Sequence, residues 1–294
     1  MHVSGQLKKV HKIGERHVNM EINLGKYLKM PSTFEKLRKL EEVLSKEGYS
    51  LGEDLGLQLN ADHFAYDVTP YDVITFANTG MDGIHFGLLT DFGTVSDLEH
   101  AYVVCISPMD FGEHIKIVAQ NIMEFVGLVC TMKSAVAISN VSCFRKELEY
   151  VNYLKELKRQ EDDEYTEKTN YIITKLLSTI KCELMDDVYD YVERKVTTKR
   201  KSRIILPTLD EIGITPLDNK NGIHTIYNLE NGVEINLNEV KSFFNTSTIE
   251  SKLAFIRDAQ FTFLMHDEKE LKEFVIDEML ILGLTDEIAR LKDS

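Results

Sequence analysis

The chain lacks tryptophan entirely, has only four cysteines in 294 residues, and has no apolar run long enough to cross a bilayer. Each shortage excludes something. Cys105, Cys130, Cys143 and Cys182 are scattered at spacings of 25, 13 and 39. A secreted fold stapled by disulfides is shorter and richer in cysteine, and Cys105 and Cys130, set in apolar runs, read as core thiols. The most apolar stretch, Ile115 to Ala137, is broken by Lys116, Gln120, Asn121, Glu124 and Lys133, whereas a spanning helix needs about 20 largely apolar residues. Met1 to Arg16 interleave Lys, His and Gly with single apolar positions. They lack the apolar core that a secretory signal needs, so the expected location is the cytoplasm.

The signatures of known chemistry are missing too. There is no HExxH, no cysteine pair at metal-ligand spacing, and no calcium loop with alternating acids. Neither the dinucleotide fingerprint nor the phosphate-loop lysine motif occurs, and no nucleophile elbow is present.

What is present suits a folded, acidic protein. The chain is 43% hydrophobic and 28% charged, enough for both a core and a solvated surface. Its 48 acids against 34 bases give a net charge of -14, which repels nucleic-acid phosphates and anionic membrane. One local exception is the run Arg194, Lys195, Lys199, Arg200, Lys201 and Arg203. Without interleaved aromatics it reads as a solvated helix end rather than a nucleic-acid surface.

Periodicity points to an α+β fold with an N-terminal mixed or antiparallel sheet and packed helices, a central helical region, and a smaller C-terminal α+β region. The expected divisions are 1–140, 141–201 and 202–294. Val18 to Leu24 alternate like a strand. A helix starts at Ser32 or Thr33, carries Leu37, Leu40 and Val43 or Leu44 on one side, and stops at Gly48. Phe64–Val68, Val73–Phe76, Ile84–Leu89 and Ala101–Ile106 read as strands, with Thr79-Gly80-Met81-Asp82-Gly83 as a tight turn. From Ile115 the spacing of Val118, Ile122, Phe125 and Val129 is helical. Helical patterns follow around Phe144–Val151, Ile173–Leu184 and Met185–Val196. Beyond them, Arg203–Pro207 reads as a strand and Ile223 to Leu237 as a hairpin about Glu230-Asn231-Gly232. Two helices close the chain.

The densest set of reactive side chains is Asp82, His85, Asp91, Asp97, Glu99, His100, Asp110, Glu113 and His114. Histidines and carboxylates are zinc or manganese ligands in principle, but the spacing matches no known site. Asp82 between its glycines suits a turn better than a phosphate cradle, because its own charge repels an anion. His85, opposite Ile84 and Phe86 in a strand, is expected to face solvent. Tyr66, Tyr71, Phe76, Phe86 and Phe92 read first as core aromatics, and Tyr66, Tyr71 and Phe92, beside Asp and Pro, are also suited to rim a shallow protein-binding groove.

The stretch Pro70 to Leu89, PYDVITFANTGMDGIHFGLL, with Val103-Val104-Cys105-Ile106 and the helix through Val118, Ala119, Ile122, Phe125 and Val126 after it, resembles the centre of an SMI1/KNR4-type domain. The resemblance covers roughly residues 30 to 130. It departs from the family in lacking the usual opening signature and the usual tryptophan. What it implies is an α+β module that binds protein without catalysis. Bacterial members often act as immunity proteins against a toxin, and fungal members regulate cell-wall signalling.

The resulting expectation is an intracellular binding protein without a cofactor. Its partner-binding residues would be Tyr66, Tyr71, Asp82, His85, Asp91 and Phe92, and its partner a protein, in one version a basic toxin whose active site it occludes. No membrane or nucleic-acid partner is expected, and self-association stays open. Two alternatives stand beside it: a metal-dependent or small-molecule enzyme using the cluster from Asp82 to His114, and a structural component of an oligomeric assembly.

Overall fold

The computed structural model describes residues 23–62, 64–110, 112–159, 163–217, 223–229 and 235–293. It has mixed α/β architecture: an antiparallel sheet with helical regions on both sides. The sheet is a five-stranded meander in which each strand pairs with the next, ordered β1 (Gln58–Leu59), β2 (Val73–Asn78), β3 (His85–Leu89), β4 (Tyr102–Ile106) and β5 (Ile115–Ala119). Antiparallel neighbours need only short links, so the turns 79–84 and 107–114 fall at one end of the sheet. The residues before β2 and after β3 fall at the other.

Two short helices, α1 (Ser32–Glu47) and α2 (Leu51–Leu55), precede the sheet. Helix α1 ends at Gly48 in the left-handed conformation, as its sequence predicts. Its start differs from expectation. Pro31 occupies the cap position, and the Glu99 carboxylate accepts from the Thr33 N–H at 3.2 Å and the Ser32 hydroxyl at 3.0 Å. A cap supplied from a distant loop leaves no local signature.

Helix α3 (Ile122–Met132) lies on the first face of the sheet, with Phe125 against Phe76 and Phe86 at ring distances of 5.5 and 4.7 Å. Burying such a ring contributes roughly 1.5–3 kcal/mol. Helices α4 (Ala135–Ser142), α5 (Glu147–Arg159) and α6 (Asp163–Ile180) extend this layer. The helical reading from Ile115 misses a strand. Ile115, Lys116, Ile117 and Ala119 pair with β4, and the helix begins only where the Asn121 side chain accepts from the Glu124 N–H at 2.8 Å.

After α6 an extended segment leads into a π-helical stretch, Asp190–Val196, which runs into α7 (Thr197–Lys201). Beyond α7 the described residues run through turns and irregular chain, with one isolated bridge, Leu206 to Ile214, before helices resume at Leu237. They form α8 (Leu237–Thr246), α9 (Ile249–Phe261), α10 (Leu264–Asp267), α11 (Lys269–Ile281) and α12 (Thr285–Asp293) around their own apolar cluster of Phe244, Phe255, Val275 and Leu291. Pairing at 203–207 therefore reduces to that bridge, and residues 223–229 carry no strand. The Glu230-Asn231-Gly232 turn lies outside the described residues. So does the strand expected at Val18–Leu24, except for Asn23 and Leu24, which sit in a helical turn.

The second face of the sheet is covered as well. Tyr102 lies beneath the guanidinium groups of Arg200 and Arg203, and His114 stacks on Phe261. Every residue of β3 and β4 is consequently buried. That is why Val103 to Ile106 is continuously apolar rather than alternating. It also corrects the placement of His85, which is fully buried rather than solvent-facing.

Candidate functional site

At the hairpin end of the sheet, the turn between β2 and β3 is fixed from within. Gly80, Asp82 and Gly83 all have positive φ, a conformation that costs a glycine little. The Thr79 N–H donates to Ile84 O and the Ile84 N–H to Met81 O, each at 3.0 Å. The Gly80 N–H donates to Asn78 Oδ1 at 2.9 Å, and the Thr79 hydroxyl to Met81 O at 3.0 Å. A Cβ on Gly83 would lie 2.7 Å from Cζ of Tyr66, so the tyrosine ring rests directly on the turn. The expected strand at Phe64–Val68 is instead a turn, closed by Thr69 N–H to Tyr66 O at 2.8 Å. That turn sets the ring in place.

Beneath this surface lies His85. Its Nδ1 meets Gly83 O at 2.7 Å and its Nε2 meets Thr69 Oγ1 at 3.0 Å, while Phe64 and Tyr66 flank the ring. Facing a carbonyl, Nδ1 carries the proton, which leaves Nε2 to accept from the threonine hydroxyl. Both nitrogens are thus committed inside the fold. What the hairpin end presents outward is Met81 at 55% exposure, Tyr66 at 41%, the exposed Asp82, and Met109 on the neighbouring β4–β5 loop at 66%.

The opposite end of the sheet holds Tyr71, Asp91 and Phe92, and there the arrangement is inward. Tyr71 and Asp91 are buried and Phe92 is half-buried. Asp91 binds Arg200 through both carboxylate oxygens, at 2.8 and 2.7 Å. Asp72 binds Arg257, which also reaches Asp210 at 3.4 Å and lies over the Phe92 ring. Gln260 receives the Tyr71 N–H at 3.2 Å and donates to Thr69 O, and Arg290 donates to Tyr71 O and to Asn23 O. Burial raises the Asp72 carboxyl above its ordinary range, although the Arg257 charge opposes it. Burial alone would lower the Arg257 guanidinium, but Asp72, Asp210 and Asp91 hold it above its ordinary value. The structure therefore brings together Tyr66, Asp82 and His85 at one end and Tyr71, Asp91 and Phe92 at the other. It does not join them into one face.

The remaining acid and histidine candidates scatter. His100 is exposed, 4.0 Å from Asp97. His114 is buried at 4.5 Å from the Phe261 ring, and burial lowers its basicity. Glu113 pairs with Arg145 at 2.7 Å, and Asp110 accepts from the Cys143 thiol. Among the described residues no group of three metal-ligating side chains converges.

The basic run divides likewise. Arg194 is paired with Asp190 and Glu147, Lys199 with Gln120, and Arg200 lies inside rather than on a solvated helix end. A cleft of about 100 Å³ opens between β5 and the π-helical stretch, lined by Lys116, Arg145, Glu193, Lys201 and Glu211. Its charges largely meet one another, with Glu211 at 3.3 Å from Lys116 and 3.9 Å from Arg145. Burial raises the carboxyl of Glu193.

Sequence reasoning missed Arg200, Asp210, Arg257 and Gln260. One signal was available. Helix α9 places Arg257, Asp258 and Gln260 within an otherwise apolar run, and a helix buried on nearly every side must pair such groups internally. No protein-family model matches this chain, and no curated protein matches it.

Proposed function

We propose that this protein is a non-catalytic protein-binding module of the SMI1/KNR4 kind, docking through the hairpin end of its sheet. The observation that carries this reading is the contrast at that end. Met81 and Asp82 project from a turn locked by its own hydrogen bonds, the Tyr66 ring rests on it from a neighbouring turn, and the histidine beneath them is wholly engaged in the fold. A rigid platform loses little ordering entropy on association, and methionine and tyrosine supply adaptable contact area. With a net charge of -14, the partner is a basic protein. Binding would act by occlusion, the platform covering the partner's basic site while Asp82 pairs with one of its cations.

The test is capture from native lysate by the full tagged chain, beside a Met81→Ser/Asp82→Lys variant whose circular dichroism and melting temperature match the parent. The reading expects one small basic protein at 1:1 stoichiometry with the parent, and its loss with the variant. Equal capture by both would remove the hairpin end from the reading. A basic partner absent from both would remove the occlusion mechanism.

A further inference from the structure

Helix α3 carries Gly127, Cys130 and Thr131 on one face, since residues three and four apart are helical neighbours. The extended segment that follows α6 is laid against that face. A Cβ on Gly127 would fall 2.3 Å from the Glu183 carbonyl oxygen, so the backbone of the segment presses on the helix there. One turn on, the Met185 N–H donates to Thr131 Oγ1 at 2.9 Å. Side chains on a helix tilt toward its N-terminus, so Cys130 leans back toward the turn where the chain passes Cys182 and Glu183. Cys130 follows Gly127 by three residues and Cys182 directly precedes Glu183, so the contact at Gly127 sets the two cysteines beside each other. Cys130 is buried and Cys182 half-buried.

We propose that Cys130 and Cys182 form an oxidisable thiol pair that closes to a disulfide when a peroxide reaches Cys182. Nothing in the binding role above uses either residue. Cys182 is the more exposed of the two, and the neighbouring Cys130 thiol lowers that of Cys182, so Cys182 is the attacking atom. Its sulfur displaces hydroxide from hydrogen peroxide, giving a sulfenic acid. The Cys130 thiol then attacks that sulfur and water leaves, so the peroxide is reduced to two waters and the two thiols are oxidised to one disulfide. The link ties the end of α6 to α3.

The other two cysteines are an internal control. Burial raises both the Cys105 and the Cys143 thiol, and Cys143 donates to Asp110 Oδ2 at 3.7 Å and to Ser139 O at 3.4 Å. Held as thiols, they should resist peroxide.

The experiment treats the full reduced chain with hydrogen peroxide, alkylates what remains, and maps the peptides. The expected product is about 2 Da lighter than the reduced chain before alkylation. It carries a Cys130–Cys182 cross-link, keeps Cys105 and Cys143 alkylatable, melts at a higher temperature, and reverts with dithiothreitol. In Cys130→Ser the link is lost and Cys182 accumulates as sulfinic acid. Two outcomes overturn the proposal: Cys182 reaching sulfinic acid in the parent chain without a link, or both thiols remaining alkylatable after the peroxide has oxidised the methionines. Because the parent chain decides between these by itself, a variant that fails to fold does not blunt the test.

Discussion

Arg200 grips Asp91 across 109 residues of chain, each of its terminal nitrogens meeting one carboxylate oxygen, and it also donates to Ile212 O at 2.8 Å and Gly213 O at 3.0 Å. The carboxylate it holds begins a run of three residues, Asp91, Phe92 and Gly93, all with positive φ. For Asp91 and Phe92 that conformation is unfavourable. The run persists because neighbours fix it: Arg200 on Asp91, and the Asp72 carboxylate accepting the Phe92 N–H at 3.2 Å. Arg200→Met therefore does more than delete an ion pair. It leaves a buried carboxylate and two carbonyls without their donor, which should cost about 3–5 kcal/mol. Urea denaturation measures this directly. The double variant Asp91→Leu/Arg200→Met should recover part of the loss, and a single variant within 1 kcal/mol of the parent would contradict the pairing.

Arg257 presents the same logic with two acids. It binds Asp72 and reaches Asp210, and both carboxylates are buried. Arg257→Leu should destabilise more than Arg257→Lys, since lysine keeps the charge while losing the fork that serves two partners. The expected order in urea midpoint is parent, then lysine, then leucine. Equal midpoints for the two variants would mean that geometry rather than charge dominates.

Asp258 gives a pH signature. Burial lifts its carboxyl to about 7 from an ordinary value of 3.8, even though the Leu209 N–H at 2.7 Å favours the anion. Between about pH 4 and 7 the folded chain holds a proton that the unfolded chain has released. Stability should therefore fall as pH rises through that window, by at most about 4 kcal/mol. Asp72 and Glu287, also raised by burial, act in the same direction. In Asp258→Asn the amide oxygen still accepts from Leu209 but nothing titrates. Urea midpoints measured from pH 5 to 8 should thus fall less steeply for the variant than for the parent. Parallel curves would locate the titration elsewhere.

Local physics made much of the sheet legible in the sequence. Val73 to Phe76, Ile84 to Leu89 and Ala101 to Ile106 are short β-branched or aromatic runs bounded by turn residues, and each lies within one residue of an observed strand or inside it. Gly48 likewise marks the end of α1. What stayed hidden depends on distant partners. Glu99 caps α1 from a loop, and Ile115 to Ala119 needs β4 to become a strand. The candidate site follows the same division. Asp82 was readable as a turn residue because its conformation is local, whereas Tyr66, expected in a strand, lies in a turn. His85 was enclosed by the turn from Phe64 to Thr69, and the fates of Tyr71 and Asp91 were decided by the C-terminal half folding over the second face, which nothing near those residues announces.

Gly127 sets two effects against each other. In an exposed helix, replacing a central glycine with alanine stabilises by about 1 kcal/mol. Here the added methyl would sit 2.3 Å from the carbonyl oxygen of Glu183, a backbone atom that cannot swing aside as a side-chain end can. Either the segment from Glu183 to Met185 lifts from α3, breaking the Met185 N–H to Thr131 Oγ1 bond, or the helix shifts within a packed layer. Overpacking of this kind typically costs 1–3 kcal/mol, so the clash should outweigh the gain in helix propensity. Gly127→Ala should lower the melting temperature, and Gly127→Val should lower it further. A higher melting temperature for the alanine variant would show that the segment does not press on the helix.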